Sequence, residues 1–87
     1  MTVNEALALA RKKTEDGRHD EAEQIYEQIL ASRPNNAEVL YVVSMSILQH
    51  GDAQGAESLL RKATTLAPSK AKYFSGLGHS LRAQGKQ

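Results

Sequence analysis

Residues 51–85, GDAQGAESLLRKATTLAPSKAKYFSGLGHSLRAQG, begin and end with a glycine. The same number of residues separates Gly17 from Gly51, Gly51 from Gly85 and Pro34 from Pro68. We call this spacing the repeat interval. A period of about 34 residues, with glycine and proline at fixed positions, is typical of stacked helix–turn–helix repeats. Such arrays present a surface to a partner, and the architecture by itself supplies no catalytic chemistry.

The composition is that of an ordinary globular protein, and it argues against several classes of function. The chain has 87 residues, of which 40% are hydrophobic and 24% are charged, and its net charge is +1. This balance argues against a nucleic-acid partner. Cysteine is absent, which removes disulfides and thiolate metal ligands. The charged N-terminal residues argue against an export signal, and the longest apolar run, 39–43, is too short to span a bilayer. We therefore expect a cytoplasmic protein without a membrane partner.

Capping residues predict where the first two helices begin and end. Thr2 and Glu5 have the spacing of a capping box, and Gly17 follows as a residue that can adopt the left-handed conformation at a helix C-terminus. A second helix is expected to open at Asp20. It should end before Pro34, because the residue preceding a proline avoids the helical region.

The same pattern then restarts and predicts three more helices. Asn36 is the expected cap of a helix over 37–50, and a fourth helix is expected to end just before Pro68. Ser69 is the expected cap of a fifth helix that ends near Gly85. Because the loops are short, consecutive helices are expected to run antiparallel to one another.

The pattern resembles that of the tetratricopeptide repeat family. Small, apolar or turn-forming residues carry the match: Ala10, Gly17, Ala22, Tyr26, Pro34, Gly51, Ala56, Ala63, Pro68, Phe74, Leu77, Gly78 and Gly85. The resemblance implies an all-α fold, a right-handed α-solenoid of antiparallel helix pairs. It divides a single domain, 1–87, into one repeat over 3–36, a second over 37–70 and a half repeat over 71–87. Ala6 and Leu40 depart from the family, which prefers a large aromatic residue there.

The resemblance also implies a function in protein–protein interaction or scaffolding. In this family, the first helix of each repeat lines a concave groove that binds a peptide or a helix. The matching positions combine an apolar centre with a basic rim: Leu7, Arg11, Tyr41, Val42, Met45, Lys72, His79 and Arg82. An amphipathic helix or an extended segment with an acidic flank would suit such a groove. The plainer alternative is that Leu7 and Met45 belong to the core and that other parts of the protein cover the groove.

The fifth helix carries an apolar edge formed by Phe74, Leu77 and Leu81. In the resembled fold this edge would pack against a following helix. We therefore expect the chain to be the N-terminal segment of a longer protein, or else to form a homodimer through this edge. A third alternative is that these side chains are buried mostly against the fourth helix.

We expect no catalytic residue, no metal site and no cofactor. His19, His50 and His79 do not have the helical spacing of a metal site, and no serine lies in a nucleophile elbow. Two other hypotheses stay open. The stretch 77–85 resembles bacterial repeats that precede glycosyltransferase or sulfotransferase domains, so the chain could recruit substrate for such an enzyme. It could also be a homo-oligomeric structural adaptor.

Overall fold

A computed structural model describes residues 2–85 and shows five α-helices and no strand among them. The helices are α1 (Val3–Glu15), α2 (His19–Ser32), α3 (Ala37–Gln49), α4 (Ala53–Leu66) and α5 (Ala71–Ala83). The prediction of an all-α fold with five helices is therefore confirmed. Helix α3 begins and ends one repeat interval after α1. In the same way, α4 begins and ends one repeat interval after α2, and α5 one repeat interval after α3. The last two residues of the predicted half repeat 71–87 lie outside the described residues.

Side-chain caps fix the beginning of three helices. The Thr2 hydroxyl accepts from the Glu5 N–H at 3.1 Å, and the Glu5 carboxylate accepts from the Thr2 N–H at 2.9 Å, which is the predicted capping box. The Asn36 side chain accepts from the Val39 N–H at 3.1 Å, as predicted, and Asp52 caps α4 in the same manner. These acceptors satisfy backbone donors that have no partner within the helix.

Two predicted helix starts are wrong by one or two residues. The second helix begins at His19, one residue before the expected Asp20, and no side chain caps it. The fifth begins at Ala71 with Lys70 as its N-cap, so Ser69 is not the cap. Lys70 lies one repeat interval after Asn36, which shows that the repeat register determines this boundary although serine is the better capping residue.

Glycine in the left-handed region follows three helices. Gly17, Gly51 and Gly85 have φ values of 81°, 94° and 77°. After α1, the Arg18 N–H donates to the Lys13 carbonyl at 2.7 Å and the Gly17 N–H donates to the Thr14 carbonyl at 3.0 Å. This is the Schellman pattern, which satisfies the last carbonyls of the helix and turns the chain back.

The contacts divide the chain into two compact units, and the first is Met1–Pro34. Within it, α1 packs on α2. Lys13 near the end of α1 lies 3.5 Å from Glu21 near the start of α2, and Val3 at the start of α1 lines one pocket together with Ser32 at the end of α2, so the two helices run antiparallel. Ala10 and Ala22 are buried, and such small side chains let helix axes approach closely.

The second unit is Asn35–Gln87, in which α4 packs on both α3 and α5 and α3 also contacts α5. Its largest buried apolar side chains are Leu40, Val43, Leu60 and Tyr73. Buried hydroxyl groups are satisfied locally: Ser80, for example, donates to the Leu77 carbonyl at 2.7 Å. Each buried serine of this unit, Ser44, Ser46 and Ser80, therefore has a hydrogen-bond partner for its hydroxyl group.

We predict opposite effects of alanine at two glycines. Gly51 has a φ of 94°, where an L-residue is strained, so Gly51→Ala should lower the free energy of unfolding by about 1 kcal/mol. Gly78 lies inside α5, and an added Cβ would meet only the Arg82 Nη1 at 3.6 Å, an ordinary contact. Gly78→Ala should therefore raise the free energy of unfolding by about 0.5–1 kcal/mol. Urea denaturation of both variants measures these changes, and a stabilising Gly51→Ala would contradict the argument.

Candidate functional site

The contact between α3 and α5 is built around two tyrosines and a glycine. The ring centroids of Tyr41 and Tyr73 are 5.2 Å apart, and the rings are tilted by 39°. A Cβ on Gly76 would lie 3.0 Å from the Met45 Cε, 3.1 Å from the Leu60 Cδ2 and 3.4 Å from the Tyr41 Cε1. The close approach of these side chains therefore depends on glycine at position 76.

A hydrogen-bonded carboxylate joins the same two helices. Glu38 on α3 accepts from the Lys72 ammonium at 3.0 Å and from the Tyr73 hydroxyl at 2.8 Å. The Lys72 Nζ also lies 5.1 Å from the centroid of the Tyr41 ring and 5.6 Å from that of Tyr73. Such distances are within the range of cation–π attraction. We call the surface formed by Glu38, Tyr41, Met45 and Lys72 the α3–α5 face; Tyr73 is buried behind it, with 2% of its surface exposed.

The electrostatics of the α3–α5 face follow from this network. Hydrogen bonds from Lys72 and then from Tyr73 hold the pKa of the Glu38 carboxyl below its usual value of 4.5. Burial, followed by the hydrogen bond to Glu38, raises the pKa of Tyr73 to about 12. At neutral pH the network therefore contains a carboxylate, an ammonium and a neutral phenol. The accessible part of the face therefore combines the Tyr41 ring with two opposite charges, those of Glu38 and Lys72.

The structure brings part of the predicted groove together. Tyr41 and Met45 lie at the α3–α5 contact, and Lys72 is placed over Tyr41. Val42 is half-buried on α3, and Ser46 donates a hydrogen bond to its carbonyl oxygen. These four predicted residues thus lie on two contacting helices.

The remaining predicted groove residues are placed differently. His79 and Arg82 are exposed on α5, where the Arg82 Nη2 lies 2.8 Å from the His79 Nδ1. In the first unit, Leu7 is buried with 6% of its surface exposed, and Arg11 is exposed. The roles of Leu7 and Arg11 in a groove stay predictions.

The predicted apolar edge on α5 is partly accessible. Phe74 exposes 48% of its surface, whereas Leu77 and Leu81 are half-buried. Leu66, at the end of α4, is the other large hydrophobic residue that is exposed among residues 2–85, at 42%. Phe74 is therefore the main apolar feature that this edge offers to solvent.

The sequence analysis did not predict the contacts of Glu38 with Lys72 and Tyr73. One signal was available, because Glu38 and Lys72 carry opposite charges and are one repeat interval apart. Residues separated by this interval occupy equivalent positions on α3 and α5, and these two helices are in contact. A repeat interval can thus predict a pairing between helices when the two residues have opposite charge.

The described part of the chain holds no candidate metal centre. Within residues 2–85, no group of three or more His, Cys, Asp or Glu residues is arranged to hold a metal ion. None of the helices in this part of the chain has the length and apolar character needed to cross a bilayer. No family model matches the chain, and no curated protein matches it either.

We predict that the pKa of Tyr73 lies above the usual tyrosine value of 10 and that Glu38 accounts for part of the increase. In a Tyr26→Phe, Tyr41→Phe background, Tyr73 is the sole tyrosine, and its pKa should be about 12 by tyrosinate absorbance. Glu38→Gln should lower this pKa but leave it above 10, because burial, the largest cause, remains. Since the folded pKa is raised, the stability that Tyr73 contributes should be lost as the pH rises from 10 through about 12.

The background and the control are chosen to preserve the fold. The buried Tyr26 hydroxyl has no hydrogen-bond partner within the described residues, so its removal breaks no bond. Glu27→Gln removes an exposed acid from α2 and should leave the titration of Tyr73 unchanged. A Tyr73 pKa near 10 in the background protein would contradict the network.

Proposed function

We propose that the chain is a protein–protein interaction module of the tetratricopeptide type, a right-handed α-solenoid that binds a peptide or a helix on its α3–α5 face. The observation that carries this proposal is that Tyr41, Lys72 and Glu38 form an ordered surface on two adjacent helices, and that the buried Tyr73 holds Glu38 and packs against Tyr41. Aromatic side chains held by neighbouring contacts lose little conformational freedom when a partner binds. Tyrosine is also among the residue types enriched at binding hot spots.

The solenoid architecture is supported by the register of the helices. The equivalent helices α3 and α5 contact each other, and α4 packs on both of them. All helix boundaries recur at the repeat interval. Contact between successive repeats, as between the second repeat and the half repeat here, is what builds the extended surfaces of solenoid proteins.

The charge pattern of the α3–α5 face narrows the class of ligand. Lys72 is already paired with Glu38, so an acidic ligand must compete with a carboxylate of the protein itself. Both side chains are about half exposed, and such a surface ion pair contributes little to stability. A ligand carboxylate can therefore replace Glu38 as the partner of Lys72 at low cost, while an apolar side chain of the ligand contacts Tyr41 and Met45.

A second candidate function is that of a homo-oligomeric structural adaptor. The observation that favours it is the 48% exposure of Phe74 on an edge that also includes Leu77 and Leu81. Exposed phenylalanine next to half-buried leucine is a common feature of protein contact surfaces.

We predict that selection from a library of random peptides yields ligands that depend on the α3–α5 face. The enriched peptides should combine an apolar anchor with an acidic residue. Tyr41→Ser combined with Met45→Gln should reduce their affinity at least about tenfold, because the apolar contact surface is lost. Isothermal titration with one enriched synthetic peptide measures the change.

The controls separate loss of the binding surface from loss of the fold. Leu66→Ser removes an exposed apolar side chain from α4 and should leave peptide affinity unchanged. Circular dichroism must show that the double variant keeps its helix content. Peptides that bind the double variant as tightly as the parent would refute this location of the site.

A further inference from the structure

The first unit contains an open pocket between the start of α1 and the end of α2. Its volume is about 250 Å³. The apolar part of its lining consists of Val3, Ala6 and Leu9 from α1 and of Ile25 and Ile29 from α2. A cavity of about 150 Å³ is already large enough for a benzene ring. The pocket can therefore accept one aromatic side chain.

The repeat register explains why this pocket exists. Ala6, Leu40 and Phe74 occupy equivalent positions, each one repeat interval from the next. The methyl group of Ala6 is the smallest of the three side chains and lines the pocket, whereas Leu40 is buried at 2% exposure. Phe74, the largest of the three, is 48% exposed. The same chain thus carries an apolar pocket at one equivalent position and an unburied phenyl ring at another.

Charge complementarity favours contact between the helices that carry these two features. One wall of the pocket belongs to α1, which carries charges of both signs, and the other belongs to α2. Helix α2 contains neither lysine nor arginine but four acidic residues, Asp20, Glu21, Glu23 and Glu27, of which Glu21 is paired with Lys13 and Arg18. Phe74 belongs to α5, which contains lysine and arginine but neither aspartate nor glutamate. An acidic helix next to the pocket and a basic helix around the phenyl ring attract each other when two copies approach.

We propose that the pocket lined by Ala6 in one copy of the chain binds the Phe74 side chain of a second copy. The resulting contact is heterologous: each copy offers a pocket through α1 and α2 and a phenyl ring through α5. Such contacts join copies head to tail and do not stop at a dimer unless the arrangement closes into a ring. A symmetric contact of α5 with α5 would instead bring together two helices that contain basic and no acidic residues, although Lys72 is paired with Glu38 of α3 in each copy. This inference rests on the second candidate function, self-association through Phe74, and does not depend on peptide binding at the α3–α5 face.

Two complementary variants test the proposal by sedimentation equilibrium. In the Ala6→Phe variant, the new phenyl group fills the pocket of the same chain, and Phe74 is retained. In the Phe74→Ser variant, the pocket is retained and the exposed ring is removed. We expect the parent protein to associate with a dissociation constant of order 0.1 mM, as small interfaces do, and each variant alone to be monomeric at the same concentration. An equimolar mixture should form a 1:1 complex and nothing larger, because it contains only one intact combination of pocket and ring.

The mixture also serves as the folding control. A complex in the mixture shows that the Ala6→Phe variant is folded well enough to present Phe74. Association of the parent should weaken as salt is raised, because the two helices attract each other through exposed charges. Leu66→Ser, which removes the other exposed hydrophobic residue, should associate as the parent does.

Three outcomes would overturn the proposal. A parent protein that stays monomeric at about 1 mM would show that a second copy does not occupy the pocket. Association of Ala6→Phe alone would point to a symmetric contact through the α5 edge. A mixture in which both variants stay monomeric, although each keeps the helical circular dichroism of the parent, would show that the ring and the pocket do not meet.

Discussion

The fold depends on the need to reverse the chain within three residues after the first helix of each repeat. Gly17 and Gly51 meet this need with a left-handed backbone, and the hydrogen bonds of the Schellman pattern close each helix end. Only after this reversal can α2 lie along α1 and α4 along α3. The small residues of the helix interfaces, such as Ala22 and Ala56, contribute close packing only because the turn places them against a partner.

Much of the fold could be predicted because its determinants are local. Helical spacing, the Thr2 capping box and the Asn36 cap each act within four residues, so the sequence displays them directly. The start of α5 shows where local rules fail. Ser69 has the better capping side chain, yet Lys70 holds the N-cap position because α5 packs in the same register as α3. Tertiary packing thus outweighs a capping preference worth about 1 kcal/mol.

The candidate site was harder to predict because it depends on contacts between helices. Tyr41, Met45 and Lys72 could be placed on one face from helical spacing and resemblance. The bond between Glu38 and Tyr73 depends on the distance between α3 and α5, which Gly76 determines by leaving room for Met45 and Tyr41. A glycine inside a helix indicates close packing but does not name the partner. The network therefore changes the predicted site from a basic rim to a paired charge beside two aromatic rings.

One equivalent position with three different side chains gives the repeats different surfaces: Ala6 lines a pocket, Leu40 is buried and Phe74 is exposed. If Ala6, Leu40 and Phe74 were the same residue, each repeat would present the same apolar surface, and symmetric contacts would be as favourable as directional ones. Instead, a pocket accompanies the acidic α2 and an exposed phenyl ring accompanies the basic α5. Both differences favour contact between unlike surfaces, because like surfaces would pair either two pockets or two helices of the same charge. Variation within a repeat can therefore specify the polarity of an assembly while the repeat interval maintains the fold.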